Sequence, residues 1–321
     1  MKRREFLIGS TVAAGAAWAQ GVKAWAQSPE EAKRDRMAVM TLAFDDLLKD
    51  PASPNDPKRT LDILDMPDLI ASHYGIHHVE VQHTHFISTE LPYLREFRDR
   101  LRKANSQMSQ ICLEFESLNI SSQAPTLRVE TIDLTKQWID HAVELGCPRV
   151  MANQGTLAPE VRQAAIETLK TIGEYGKSRK VFVTMENRGG RRRPSTPPAS
   201  ANSKAGGAPT TVPAAGSSGR EKAEWEVLVE VIKAAGIYAN PDIGNFPDEE
   251  ARAAGLRVMY PLSSGSSHVH YNPARYNEAN AIKISKEVGY KGLYSIEASN
   301  INGPDPYSRV QTILDELLKD I

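Results

Sequence analysis

Four acidic or imidazole side chains recur in the second half of this sequence, each at the end of a predicted strand. They are Glu186, Asp242, His268 and Glu297, and the intervals between them are 56, 26 and 29 residues. The first interval contains a low-complexity segment, residues 191–220, and it shortens to 26 residues when those 30 residues are set aside. A strand–helix–strand unit occupies about 30 residues. The spacing therefore predicts a repeating α/β barrel in which the four side chains converge on one rim.

The rest of the sequence fits the same architecture, because short apolar segments alternate with amphipathic helical patterns. Eight strands are predicted, at 37–44, 77–82, 110–115, 149–153, 181–186, 237–242, 266–270 and 293–297. Helices are predicted at 91–104, 129–145, 159–175, 224–235, 276–288 and 306–318. The 321 residues suffice for one (β/α)8 TIM barrel, which needs about 250. We therefore expect a single α/β domain, a TIM barrel over residues 37–321.

Residues 1–26 have the pattern of a targeting signal rather than of the barrel. Paired Arg3 and Arg4 precede Phe6 and Leu7, an Ala-rich apolar segment and two small-x-small sites. This is typical of a twin-arginine signal peptide. We expect export through the twin-arginine machinery, a periplasmic mature protein and no membrane segment after processing. An ordinary secretory signal or an uncleaved anchor is the alternative, although the apolar segment is shorter than the roughly 20 residues of a membrane span.

The low-complexity segment at 191–220 is rich in Pro, Ala, Ser and Gly, with almost no large apolar side chains. Such a composition does not bury enough apolar surface to offset the entropy cost of ordering. We predict a flexible insertion after the fifth strand. That loop lies on the catalytic face of a TIM barrel, so the insertion is either a tolerated loop or a lid.

The net charge argues against nucleic acid as a partner, and the two cysteines are candidates for buried thiols or a disulfide. The whole chain has a net charge of −1, and residues 1–26 contribute +3, so the mature chain is near −4. There is thus no basic excess to recruit nucleic acid. Cys112 and Cys147 are predicted to be buried thiols, although the periplasm permits a disulfide.

The four recurring side chains form a donor set suited to one divalent metal ion. Carboxylates and imidazole bind Mn²⁺, Mg²⁺, Co²⁺ or Zn²⁺, and mixed oxygen and nitrogen ligation does not choose among them. A bound ion acts as a Lewis acid on a carbonyl and stabilises an enediolate. Glu186 and Glu297 are the candidates to remove and return the proton. This predicts an isomerase or epimerase of a sugar or keto-sugar that needs no organic cofactor.

Several segments together resemble the xylose isomerase-like TIM-barrel superfamily of sugar isomerases and epimerases, the AP endonuclease family 2 type. They are GIHHVEVQ, HAVELGCPRVMANQG, MENRGG, PDIGNFPDEE, SHVHY and GYKGLYSIEAS, and the resemblance spans about residues 37–318. It implies that one divalent ion is held by Glu186, Asp242, His268 and Glu297, with the two glutamates as the acid–base pair.

The resemblance also points to residues that contact substrate. Where the family's seventh strand often reads His-x-Lys, this sequence has His268 and His270. His270 is therefore a predicted substrate contact and an alternative metal ligand. Arg188 stands where exported relatives often carry His, and it is a candidate to bind an anionic substrate group.

Further substrate-binding candidates follow the second, third and fourth predicted strands. They are His83, His85, Glu114 and Asn153. A plain loop role is an equal alternative for each of the two histidines.

Two other functions remain open, and a third does not fit the sequence. A metal-dependent lyase or dehydratase acting on a keto-sugar, keto-glycoside or inositol derivative starts with the same proton abstraction. A non-catalytic exported sugar-binding barrel has the same fold. An endonuclease IV-like enzyme would need more His and acidic ligands and a basic face, which this acidic chain lacks. Barrels of this kind often pair, but the sequence does not fix the oligomeric state.

Overall fold

The computed structural model describes residues 28–115, 118–152, 155–188 and 222–321, and within these ranges eight parallel strands form a (β/α)8 TIM barrel. The strands are β1 (Met37–Met40), β2 (His78–Gln82), β3 (Gln107–Cys112), β4 (Arg149–Met151), β5 (Phe182–Glu186), β6 (Tyr238–Asn240), β7 (Ser266–Val269) and β8 (Leu293–Ile296). The predicted fold is confirmed.

Nine α-helices accompany the strands in the described ranges. They are α1 (Pro29–Arg34), α2 (Met66–Tyr74), α3 (Leu91–Lys103), α4 (Pro125–Leu145), α5 (Pro159–Arg179), α6 (Glu224–Ala235), α7 (Glu249–Met259), α8 (Glu278–Glu287) and α9 (Pro306–Asp320). None of the helices in this part of the chain is long and apolar enough to cross a membrane.

The strands pair in the order β6-β5-β4-β3-β2-β1-β8-β7, and the barrel closes where β7 meets the residues after β6. The His268 amide donates to the carbonyl of Pro241 at 2.9 Å, and the Ile243 amide donates to the carbonyl of His268 at 3.2 Å. The Ser267 hydroxyl adds a bond of 2.6 Å to the same Pro241 carbonyl. The closing seam thus runs through Asp242 and His268, two of the four predicted metal ligands.

Most of the apolar core lies between the strands and the surrounding helices, while the inside of the barrel is largely polar. Met40, Cys112 and Met151 form a small buried apolar cluster of their own. Next to it, the Gln110 amide donates to Glu80 at 2.9 Å, and the Thr184 hydroxyl donates to Gln110 at 3.0 Å. Both cysteines are buried free thiols.

Some predicted boundaries are wrong, for local reasons. Strand β1 ends at Met40, and residues 41–44 form a 3-10 turn in which the Thr41 hydroxyl accepts the Gln82 amide at 3.2 Å. Strand β3 begins at Gln107 rather than at 110 and ends at Cys112. Helix α8 begins after Asn277, whose side chain caps it by accepting the Asn280 amide. Helices α1, α2 and α7 were not predicted. The predicted signal at 1–26 and insertion at 191–220 lie outside the described residues.

Candidate metal centre

The ends of β5 to β8 bring the four recurring side chains to one point. Glu186 is the last residue of β5, Asp242 follows β6, His268 lies in β7, and Glu297 follows β8. One ligand atom from each lies within 4.8 Å of the others. All carboxyl ends of the strands of a TIM barrel face the same rim. The side chains of Glu186, Asp242 and His268 are almost fully buried, whereas that of Glu297 is 22% exposed.

His268 is the central residue of this cluster. Its Nδ1 atom lies 2.8 Å from Oε1 of Glu186 and 3.1 Å from Oε2 of Glu297, while its Nε2 atom lies 2.8 Å from Oε1 of Glu80. Burial disfavours the charged imidazole, but the carboxylates of Glu80 and Glu186 outweigh burial and raise the pKa of His268 well above its usual value. Because Nε2 is engaged by Glu80, Nδ1 is the atom that faces the metal position.

Glu80 is the residue of this site that the sequence reasoning missed. It lies in the middle of β2 and is fully buried, and burial opposes its ionisation, yet His268, Ser295 and Gln110 together lower its pKa. The signal was present in the sequence: a single acidic residue stands between Val79 and Val81 in an apolar strand. A buried carboxylate needs a charged or hydrogen-bonding partner, and here that partner comes from β7, across the barrel.

Asp242 is held rigidly by the loop that follows β6. Its Oδ1 atom accepts the Gly244 amide at 2.6 Å, and its Oδ2 atom accepts the Asn245 side-chain amide at 2.7 Å. The Asn187 side chain, next to Glu186, bonds both the backbone N–H (2.8 Å) and the backbone C=O (2.9 Å) of Asp242. Burial opposes ionisation of Asp242, but His270 outweighs it, and the pKa falls to about 2.

His270 approaches the cluster from the side of the solvent. Its Nε2 atom lies 2.9 Å from Oδ2 of Asp242 and 3.5 Å from Oε2 of Glu297. Although burial disfavours its charged form, these two carboxylates raise the pKa of His270 to about 10. The compact four-residue cluster contains His268 rather than His270, so the geometry favours His268 as the ligand and leaves His270 at the edge of the site.

Arg188 is engaged by protein carboxylates. Its Nε atom donates to Oε2 of Glu186 at 3.3 Å, and its Nη1 atom donates to Oε2 of Glu114 at 3.0 Å. The guanidinium thus ties a predicted ligand to a predicted substrate residue. Binding of an anionic substrate group by Arg188 stays a prediction, and such a group would have to compete with these carboxylates.

The structure does not bring His83 and His85 to the cluster. Nδ1 of His83 accepts the Glu114 amide at 3.1 Å, and its ring packs edge-on against Phe115 and Trp138. Burial lowers the pKa of His83 to about 4. Both ring nitrogens of His85 are occupied, by the Thr41 hydroxyl (2.8 Å) and the Asp45 carboxylate (3.1 Å).

Each of these two histidines thus has protein partners, as in the loop role weighed as the alternative. Asn153, the remaining predicted substrate residue, lies outside the described residues.

The donor set fits a divalent ion. Four carboxylates, those of Glu80, Glu186, Asp242 and Glu297, surround only two imidazoles, and Arg188 is balanced by Glu114. With all four carboxylates ionised, negative charges outnumber positive charges by two even when both imidazoles are protonated. With Glu186 protonated, which its raised pKa favours, the excess is one. Buried charges need compensation, and a divalent cation among oxygen and nitrogen donors supplies it.

A cavity of about 940 Å³ opens beside the cluster. Glu297, His270 and Arg188 line it, and so do several asparagines of the neighbouring loops, Asn187, Asn245 and Asn272 among them. A small molecule in the cavity therefore has direct access to one predicted acid–base residue and to the edge of the metal position.

Comparison with known proteins supports the fold. A sequence-family model described as xylose isomerase-like TIM barrel matches residues 69–197, and no curated protein matches the sequence significantly. The structure resembles D-allulose 3-epimerase from Methylomonas sp. (11% identity, 89% of this chain and 98% of that chain, TM-score 0.62). It also resembles L-ribulose 3-epimerase (12% identity, 88% and 94%, TM-score 0.62) and a D-tagatose 3-epimerase-like protein (18% identity, 88% and 97%, TM-score 0.58). At these identities the similarity establishes a shared barrel.

Proposed function

We propose that this protein is a divalent-metal-dependent isomerase or epimerase of a sugar or keto-sugar. The observation that carries the proposal is the convergence of Glu186, Asp242, His268 and Glu297 on one point at the barrel rim, beside an open cavity. The names of the similar structures, D-allulose 3-epimerase and L-ribulose 3-epimerase, support a sugar as the substrate.

The metal would be held by the two glutamates, Asp242 and Nδ1 of His268. When bound, the ion supplies Lewis-acid polarisation of a carbonyl oxygen. Glu80 holds the imidazole of His268 through Nε2. Such a carboxylate partner fixes the tautomer and the orientation of a ligating histidine. Hydrogen bonds from three residues fix the orientation of Asp242 in a similar way. These residues are Asn187, Gly244 and Asn245.

The two glutamates are the proposed proton-transfer groups. Glu186 and Glu297 come from non-adjacent strands, and both contact Nδ1 of His268, at 2.8 and 3.1 Å. One glutamate would remove the proton from the carbon beside the carbonyl, and the other would return a proton. Of the two, Glu297 lines the cavity and so has direct access to a bound sugar. Return to the opposite face of the same carbon inverts the centre. Return to the former carbonyl carbon, with the hydroxyl proton passing from one oxygen to the other, isomerises the sugar.

Metal content is the first test. We expect about one divalent ion per chain by elemental analysis of the wild type, and loss of that ion in the double variant Asp242→Ala with His268→Ala. The matched control is Asp133→Ala with His73→Ala, because both residues are exposed on outer helices. A wild-type protein that neither contains a metal nor gains thermal stability from any added divalent ion would refute the proposal.

The acid–base role of Glu297 has its own test. In D₂O, the wild type should exchange the hydrogen beside the carbonyl of a ketose such as D-allulose or L-ribulose, read by NMR. Glu297→Gln should slow this exchange about 10²–10⁴-fold, while Glu174→Gln, exposed on α5, should leave it unchanged. Undiminished exchange in Glu297→Gln would remove that residue from the mechanism. Product mass separates epimerisation, which conserves it, from elimination by a lyase.

A further inference from the structure

Arg252 is a buried cation beside the loop that carries Asp242. It is the fourth residue of α7, and its side chain is almost fully buried. Burial disfavours a charged group, and the positive end of the helix dipole at the start of α7 disfavours a cation further. Because a guanidinium keeps its charge in proteins, this position is costly unless specific contacts compensate the cost. The contacts of Arg252 therefore indicate its role.

One of these contacts is to the backbone directly after Asp242. Nε of Arg252 donates to the carbonyl oxygen of Ile243 at 2.6 Å. That carbonyl belongs to the same peptide group as the N–H of Gly244, which donates to Oδ1 of Asp242 at 2.6 Å. A peptide group is planar, and in its trans form the C=O and the N–H point in opposite directions. Holding the carbonyl therefore fixes the direction of the N–H that binds the carboxylate.

The guanidinium is itself held by two further elements. Its Nη1 atom donates to Oε1 of Glu249 at 2.7 Å, and its central carbon lies 4.5 Å from the ring centre of Tyr276. The same oxygen of Glu249 accepts the backbone amide of Asn277 at 2.7 Å. Arg252 is thus anchored to the start of α7 and to the segment between β7 and α8. These anchors hold its Nε in place independently of Asp242.

The charge of the arginine also acts on the N–H of the peptide group. A cation at the carbonyl oxygen draws electrons toward that oxygen, so the N–H becomes a stronger donor. The bond from Gly244 to Asp242 is therefore both oriented and strengthened from the far side of the peptide group. A lysine in place of Arg252 would keep the charge, whereas an apolar side chain of similar length would keep neither effect.

We propose that Arg252 is a positioning residue for Asp242 and that it acts through the peptide group between Ile243 and Gly244. The inference rests on the proposed function, since it assigns Arg252 to the metal site of which Asp242 is a proposed ligand. In this role Arg252 is not itself a ligand. It keeps Oδ1 of Asp242 bound to a backbone N–H, so that the carboxylate has one orientation when an ion binds.

The NMR signal of the Gly244 amide tests the contact in the metal-free protein. In protein labelled with nitrogen-15 glycine, this signal is assigned by its loss in Gly244→Ala. Arg252→Met removes the donor and the charge but keeps much of the apolar volume. In this variant we expect the Gly244 amide proton to move upfield and to exchange with solvent about tenfold faster, as for one weakened hydrogen bond. Arg252→Lys should restore most of the wild-type signal.

Metal affinity tests the consequence for the ligand. In Mn²⁺ titrations read by electron paramagnetic resonance, Arg252→Met should bind Mn²⁺ about 10–100-fold more weakly than the wild type, the range for loss of an outer partner of a ligand. Arg252→Lys should recover most of this loss. Two controls lie on the same helix. Leu256→Ala, in the apolar core, controls for lost stability, and Arg257→Met removes an exposed arginine that pairs with Glu287. Both should keep the wild-type affinity and Gly244 signal.

Either of two results would overturn the inference: an unchanged Gly244 signal or Mn²⁺ affinity in Arg252→Met, or losses in Leu256→Ala as large as those in Arg252→Met. If Arg252→Met does not fold, both readings are made on Arg252→Gln, which lacks the charge, and wild-type values there would overturn the inference equally.

The proposed function is read separately, by metal content and deuterium exchange of the wild type. A wild type that binds no divalent ion would refute the proposed function whatever the Gly244 signal shows. A wild type that binds metal, with the same affinity in Arg252→Met, would refute only the role of Arg252.

Discussion

Glu80 shows how one buried side chain controls the cluster from inside the barrel. It does not line the cavity beside the cluster, but it binds Nε2 of His268 at 2.8 Å and is itself held by Gln110. Thr184 continues this chain of hydrogen bonds to β5, the strand that ends at Glu186. The orientation of His268, a proposed metal ligand, therefore depends on three strands, β2, β3 and β5, in addition to its own.

Removing the charge of Glu80 should weaken metal binding without removing a ligand. Glu80→Gln keeps the size of the side chain but no longer stabilises the imidazole electrostatically. Loss of such an outer partner typically costs about 10–100-fold in metal affinity, and we expect that range in a chelator competition assay. The control is Glu90→Gln, at an exposed position before α3. Equal metal affinity of Glu80→Gln and the wild type would show that the charge of Glu80 does not contribute to metal binding.

The loop after β6 is the element that places the proposed metal ligand Asp242 next to His270. Gly244 lies where a Cβ atom would come 2.8 Å from the ring of His270 and 3.3 Å from Oδ1 of Asp242. The same residue donates its amide to Asp242. Any larger residue at this position must displace one of the two side chains.

Gly244→Ala should therefore impair activity more than stability. A misplacement of about 1 Å near a reacting centre can cost about 10²-fold in rate, and we expect a loss of tenfold or more in deuterium exchange. Gly146→Ala is the contrast: φ is +70° there and nothing lies within 4 Å of the added carbon. It should lower stability by about 1 kcal/mol through backbone strain and leave exchange intact. If Gly244→Ala kept exchange but lost stability, while Gly146→Ala lost exchange, Gly244 would have no special role in placing Asp242 and His270.

The contact between α8 and α9 is an element-level source of pH dependence remote from the site. Burial, and then the nearby carboxylates of Asp320 and Glu316, raise the pKa of Glu278 to about 8. An unfolded glutamate titrates near 4.3. Between these values the folded protein retains a proton that the unfolded chain has lost, so the stability present at low pH decreases as the pH rises through this window.

Glu278→Gln should remove this decrease. We expect the variant and the wild type to differ little in unfolding free energy at pH 5, and the variant to be more stable by on the order of 2 kcal/mol at pH 8.5. Chemical denaturation at the two pH values provides the measurement. Glu160→Gln, in the exposed first turn of α5, should show no such difference. A variant less stable than the wild type at high pH would show that Glu278 is ionised in the folded state.

For the molecule as a whole, the proposed metal binding is coupled to protons by the excess of buried negative charge. In the metal-free cluster, the pKa of His268 is raised by Glu80 and Glu186 despite its burial, and burial raises that of Glu186. A metal ion needs Nδ1 of His268 and the Glu186 carboxylate free of protons. Ligand protonation therefore competes with metal binding.

Metal affinity should rise with pH across the neutral range. Release of one proton corresponds to about a tenfold gain in affinity per pH unit, and we expect at least this slope between pH 6 and 8 in metal-buffered titrations. Stabilisation by metal should follow, reaching about 2.7 kcal/mol at a free metal concentration one hundred times the Kd. Metal affinity independent of pH would mean that the cluster is already deprotonated without metal.

The sequence by itself determined the barrel and the residues that meet at its rim. The alternation of strands and helices is visible in local sequence patterns, and the carboxyl ends of the parallel strands of a barrel lie at one rim. Spacing alone was therefore enough to place the four recurring side chains, Glu186, Asp242, His268 and Glu297. Helix α6 was placed to the residue because its apolar pattern and flanking signals are local too.

Tertiary structure decided which partner each of these groups has. Glu80 and His268 are 188 residues apart, and nothing in the local pattern of either strand shows that they face each other across the interior. The same holds for the engagement of Arg188 by Glu114. Strand periodicity fixes which end of the barrel a side chain reaches, but burial and charge depend on what the opposite strands contribute, and only closure of the barrel brings those groups together.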